Sequence, residues 1–235
     1  MGYNASLREL YDREVPGFLK KLEKQFPDRL DRLTGPFLMH CWDDEYGACN
    51  KRLMVVGKET NEWHRVPAND PDAVPALVRK YEDFRLGTNP AKPYDGNFLP
   101  TVRKLHRALN GEQLPLGFMW NNLWKLDENC KSPSQCVQSF LLHEFPILRS
   151  EIEACDPQVV VFFTSYGNDE ALRSLFPGAT VRAVPGFACK ELAEVCGLGR
   201  LSFRTYHPGY FVPNPHRVPA LKEVLPKIVA ACKGV

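Results

Sequence analysis

The chain has 235 residues, 44% hydrophobic, with a formal net charge of +2. That length supports one large domain, and near-neutrality excludes a global basic field that would advertise nucleic acid. The charge is uneven, however: from Arg200 onward six basic residues (Arg200, Arg204, Arg217, Lys222, Lys227, Lys233) face one acid, Glu223, which leaves room for a local basic face.

In chain order, residues 5–33 carry apolar positions at helical spacing, Leu7, Leu10, Tyr11, Phe18, Leu19, Leu22, Phe26 and Leu30, and Pro16 predicts a break into two helices. Residues 1–35 read as a helical extension on a single domain spanning 1–235. A loop with a short apolar piece covers 35–50. Its segment "HCWDDEYGAC", residues 40–49, matches no metal-ligand spacing and reads as a solvated acidic turn.

Leu53–Gly57 reads as a buried strand that ends on glycine and turns at once into Lys58, Glu59, Thr60 and Asn61. Residues 58–100 are rich in Pro, Asn, Asp and Gly, with one helix at 73–84, and a long polar loop after a strand is often functional. "PTVRKLHRAL" predicts a helix with Val102, Leu105 and Leu109 on one face, and "LGFMWNNLWKL" (116–126) predicts a second buried strand. A helical pattern spans 138–154, kinked or broken at Pro146. "PQVVVFFTS" (157–165) has the continuous β-branched character of a central parallel strand. A short helix at 168–175, an apolar stretch at 180–184, a strand "RLSFRTYH" (200–207) and a helix over 217–232 complete the chain.

Strands alternating with helices predict an α/β fold, a three-layer α/β/α sandwich around a central, mostly parallel four-stranded sheet. Ligands of such sheets bind beyond the carboxyl ends of the strands. Polar groups cluster at those ends: Glu59 after the first strand, Asn121 and Asn122 in the second, Thr164 and Ser165 after the third, and His207 after the last. Adjacent strand residues face opposite ways, so only one of Asn121 and Asn122 faces a pocket, and Asn122 is read as that residue.

Four stretches in this order, "GKETN", "NF" (Asn97 and Phe98), "NNLWK" and "HPGY", resemble the motifs of the uracil-DNA glycosylase superfamily, from about residue 37 to 232. The whole of "GKETNEW" is similar to an uncharacterised, divergent bacterial branch of that fold, in which Trp63 belongs to the motif. The resemblance implies hydrolysis of the N-glycosidic bond of uracil or a related damaged base in DNA. Glu59 is then the carboxylate beside the sugar, and His207 stabilises the departing base as an oxyanion hole does. Asn122 reads the base edge, Phe98 stacks on it, and Asn97 and Trp63 line the pocket. Tyr210 and Phe211 supply a wedge into the helix or else pack against the last helix. The Gly209 N–H, Arg204 and Arg217 lie near phosphates.

The sequence departs from the family at three points: Glu59 stands for aspartate or asparagine, Thr60 for proline and Gly209 for serine. The longer Glu59 side chain matters because a misplacement of about 1 Å can cost about 100-fold in rate. The same pocket on an inactive nucleobase- or nucleic-acid-binding protein, or on a hydrolase of a small nucleoside-like substrate, is the alternative. The resemblance makes DNA, duplex or single-stranded, the partner.

No cofactor is expected. Cys41 and Cys49 do not fit an iron–sulfur ligand pair, and none of the eight cysteines has C-x-x-C spacing. The N-terminus lacks the apolar core of a signal peptide, and no apolar run approaches the roughly 18 residues of a membrane span, so a reducing cytoplasm and no membrane contact are expected.

Overall fold

The computed structural model describes residues 2–64, 70–91, 94–210 and 218–234, with backbone alone at 218–221. Phe211 and Arg217 lie outside the described residues.

The elements run α1 (Tyr3–Gln25), β1 (Leu33–Thr34), α2 (Asp43–Gly47), β2 (Leu53–Gly57), α3 (Ala73–Phe84), α4 (Phe98–Asn110), β3 (Phe118–Asn122), β4 (Asp127–Glu128), α5 (Gln135–Glu144), α6 (Leu148–Cys155), β5 (Val159–Phe162), α7 (Asp169–Leu175), β6 (Thr180–Ala183), β7 (Leu192–Cys196), β8 (Leu201–Thr205) and α8 (Val218–Lys233). The chain is α/β, with helices packed around a six-stranded sheet of order β3-β2-β5-β8-β7-β6. The first four strands of that order are mutually parallel. β7 and β6 extend the sheet antiparallel from β8. The expected sheet of four strands is thus its parallel part, and the sheet itself has six. β7 was not anticipated; its short run, Leu192 to Cys196, is closed by Gly197 and Gly199, both at positive φ in the turn into β8.

β5 is the centre. Val159, Val160, Val161 and Phe162 are all buried, as expected of a strand covered on both faces. β2 beside it is equally buried. Parallel pairing sends the carboxyl ends of β2, β3, β5 and β8 to one edge, where Gly57 stands opposite Asn122.

One helix expectation needs correction and another holds. Pro16 does not break α1, which runs unbroken to Gln25. An interior proline costs about 3 kcal/mol, and the seven buried side chains of α1, Leu7 through Leu22, offset it by packing. Pro146 does break the 138–154 pattern, giving α5 and α6. The acidic turn is less solvated than expected: it forms α2, the Asp43 carboxylate accepts the Asn4 N–H at 2.8 Å, and that of Glu45 accepts the Leu116 N–H at 2.7 Å. Among the described residues no helix is long and apolar enough to cross a membrane.

Candidate active site

At the carboxyl edge of the sheet a cavity of about 540 Å³ is lined by Gly57–Trp63, Lys80, Phe84, Tyr94, Asp95, Phe98, Trp120, Asn122, Cys130 and His207. Its size is within the range of small-molecule sites.

The loop after β2 is held from behind. The Leu123 N–H donates to the Gly57 carbonyl at 2.9 Å and the Trp124 N–H to the Lys58 carbonyl at 2.7 Å. Thr60 is buried, and its hydroxyl donates to Asp127 Oδ2 at 2.7 Å. The same oxygen accepts the Thr34 hydroxyl, and Asp127 Oδ1 accepts the Cys130 N–H at 3.1 Å. Thr60 thus ties the loop to the β1–β4 ribbon.

Glu59 then lies on the cavity wall, and its Oε2 accepts the Ser132 hydroxyl at 2.6 Å. Burial pushes its carboxyl above the usual range, partly opposed by the Ser132 bond and the Lys58 ammonium.

His207 follows β8. Its Nδ1 accepts the Gly209 N–H at 3.2 Å, which leaves the proton of the neutral ring on Nε2. Burial first, and the Lys58 charge second, push its pKa down to about 4, so the ring is neutral at pH 7. The imidazole lies parallel to the Phe98 ring, with centroids 5.2 Å apart and planes 8° from each other.

Asn121 and Asn122 divide as the strand requires. Asn121 turns into the core, where its Nδ2 donates to Glu151 Oε2 at 3.0 Å and its Oδ1 accepts from Lys125. Lys125 and Glu151 form a buried ion pair at 2.5 Å, and the Tyr11 hydroxyl donates to Glu151 at 2.8 Å. Asn122 faces the cavity. Its Oδ1 accepts the Trp120 indole N–H at 3.3 Å, and its Nδ2 is buried without a partner among the described residues. An orphaned donor of this kind is costly unless something supplies an acceptor. Trp63 carries a second one, its Nε1, within an aromatic cluster containing Phe37, Tyr81, Phe84 and Trp120.

Of the expected residues, Glu59, Trp63, Phe98, Asn122 and His207 meet at one cavity. Asn97 does not: it is exposed at the head of α4, and Tyr94 and Asp95 form the wall there. Gly209 spends its N–H on His207 instead of offering it to a phosphate. Tyr210 stacks on Tyr206, centroids 4.7 Å apart and planes at 13°, and is 38% exposed.

The expectation for Arg204 is corrected outright. Arg204 has no exposed surface, and its guanidinium forks onto Asp169 at 2.8 and 2.9 Å. A strand beside β5 leaves no solvent for a side chain at that position, so the arginine is charge-paired inside the protein.

Sequence reasoning missed Lys58, Lys80, Ser132, Cys130, Asp127, Tyr94, Asp95 and Trp120. Lys58 adjoins Glu59 and was within reach of the motif. Ser132 lies 73 residues beyond Glu59 and had no local signal.

No family model matches the chain, and no curated protein matches it in sequence.

Proposed function

We propose that this protein is a DNA glycosylase-like hydrolase of the N-glycosidic bond of uracil or a related damaged base, built on the three-layer α/β/α arrangement of the uracil-DNA glycosylase superfamily. The observation that carries this reading is the parallel alignment of Phe98 and His207. A flat base packed against Phe98 lies parallel to the imidazole plane. The Nε2–H of a neutral His207 lies in its own ring plane and so points toward the edge of such a base, where the carbonyl oxygens are.

The remaining groups suit the same reaction. The N-glycosidic bond breaks with its electron pair going to the base, and positive charge builds on the sugar. The Glu59 carboxylate stabilises that charge and orients the water whose oxygen bonds to C1′, taking up the proton that the water releases, while the departing base anion gains its proton from solvent. His207 donates a hydrogen bond to the anionic base oxygen as the charge develops. Asn122 Nδ2 gives a carbonyl of the base its bond, and Oδ1 keeps a second lone pair for a ring N–H. Stacking on Phe98 contributes about 1–3 kcal/mol, against the few kcal/mol that flipping the base costs.

The test is a cleavage assay on labelled single- and double-stranded oligonucleotides carrying uracil, hypoxanthine, xanthine or a U:G mismatch, with abasic sites revealed by alkali. Strand scission that falls in His207→Ala and Glu59→Gln supports the reading. No scission of any substrate by folded protein rejects it. The second reading, a pocket that binds a base without cleaving it, draws on the Glu59–Ser132 bond, which occupies one carboxylate oxygen.

A further inference from the structure

A second cavity, about 290 Å³, lies between the later part of α4, the turn at Gly87–Thr88 and the segment 111–115. Its charge comes from Arg103, Arg107 and Glu112: two guanidinium groups against one carboxylate. His106 also lines it but adds no charge. Its Nε2 bonds the Leu114 carbonyl at 2.8 Å, its Nδ1 accepts from Asn110 at 3.2 Å, and burial holds its pKa below the ordinary value.

Arg103 and Arg107 are four residues apart on one helix, hence on one face and about 6 Å apart along the axis. Like charges at that spacing repel. Arg103 is half-buried and has no carboxylate partner among the described residues. A terminal nitrogen donates to the Leu86 carbonyl, and its Nε–H is buried with no hydrogen-bond partner among the described residues. Burial and Arg107 both oppose its charge. Among the described residues Arg107 pairs with Glu112 alone, at 2.9 Å, with both side chains more than half exposed (52% and 74%). An exposed pair of that kind is weak and easily exchanged. An uncompensated guanidinium beside a second one, facing a cavity, is what an oxyanion would relieve, because the planar fork matches two oxygens at once.

We propose that this cavity is a second binding site, for a phosphate-class oxyanion held by Arg103 and Arg107. The site stands whether or not the first cavity breaks a glycosidic bond. A free phosphate or nucleotide phosphate and a backbone phosphate of nucleic acid share this chemistry, and the test separates them.

The experiment is NMR of the arginine Nε–Hε groups in the full chain. Inorganic phosphate is titrated at constant ionic strength against chloride, and a short single-stranded oligothymidylate is titrated separately. The expected result is a saturable shift of the Arg103 resonance with phosphate, weakened about tenfold in Arg107→Gln, the loss of one charge-assisted pair. Arg107 is exposed, so that variant folds even if an Arg103 variant does not. If the oligonucleotide moves the same resonance, and Arg107→Gln lowers the slope of log K against log salt by about 0.7, the phosphate comes from the backbone. If inorganic phosphate alone moves it, the ligand is a free anion. A shift no larger than in chloride, or a saturable one unchanged in Arg107→Gln, overturns the proposal.

Discussion

Gly57 and Asn122 are register partners at the ends of β2 and β3, and a Cβ on Gly57 would lie 2.5 Å from Asn122 Oδ1 and 3.5 Å from the Phe98 ring. The glycine is there for close approach. It lets an amide and an aromatic ring share one wall of the cavity. Gly57→Ala is therefore expected to displace the Asn122 amide and lower stability by about 1–3 kcal/mol, the range for overpacking a filled site. Urea unfolding measures the stability, and the Asn122 side-chain NH₂ resonances report the displacement. Unchanged resonances would refute the contact.

His207 sets a pH dependence. Its pKa is about 4 in the folded chain against an ordinary value of 6.5. The unfolded chain therefore takes up a proton first as the pH falls. The contribution to stability is full above pH 6.5 and is lost progressively down to about pH 4. One unit is about 1.4 kcal/mol, so with the ring edge partly solvated the loss is on the order of 2 kcal/mol. Denaturant midpoints across this range should decline less in His207→Gln than in the parent protein. Equal slopes would mean that His207 is protonated normally.

Ser132 tunes Glu59. Its hydroxyl bond favours the ionised carboxylate, against burial. In Ser132→Ala the Glu59 pKa should rise further, and Ser132→Thr should restore it. Carbon-detected NMR of the Glu59 carboxyl follows both, with or without substrate. A pKa that does not move in Ser132→Ala would remove Ser132 from the site.

The Lys125–Glu151 pair lies behind Asn122, and both side chains are almost wholly buried. Removing one member leaves a bare charge in the core, which costs about 3–5 kcal/mol. Lys125→Met alone should be destabilised by that order, and Lys125→Met with Glu151→Leu by much less. Equilibrium unfolding of the two variants decides it, and equal losses would deny the coupling.

Arg204 gives a contrast between core and surface. Arg204→Gln should destabilise by about 3 kcal/mol, since Asp169 loses its buried partner. If the protein binds an oligonucleotide, the salt dependence of that affinity should be the same in both proteins. A shallower salt slope in the variant would restore Arg204 to a phosphate contact.

The sequence alone determined the parallel framework. The unbroken apolar run of β5, the buried β2 with its terminal glycine, and the helical pattern of α4 each carry a periodicity strong enough to read locally. It also determined that Glu59, one of Asn121 and Asn122, and His207 belong near one edge, since parallel strands end together; Phe98 joined them only through the resemblance. Only the tertiary structure decided what those ends do. The partition of Asn121 into the core and Asn122 into the cavity depends on which face β3 turns to Glu151. Ser132 reaches Glu59 from across the chain, and Asp127 holds Thr60 from the β1–β4 ribbon. The burial of Arg204 follows from strand order, because a basic residue near the end of a strand looks the same in sequence whether a sheet covers it or water does. Hydrogen bonds and ion pairs between distant segments leave no local pattern, and they fix where the charges of this protein point.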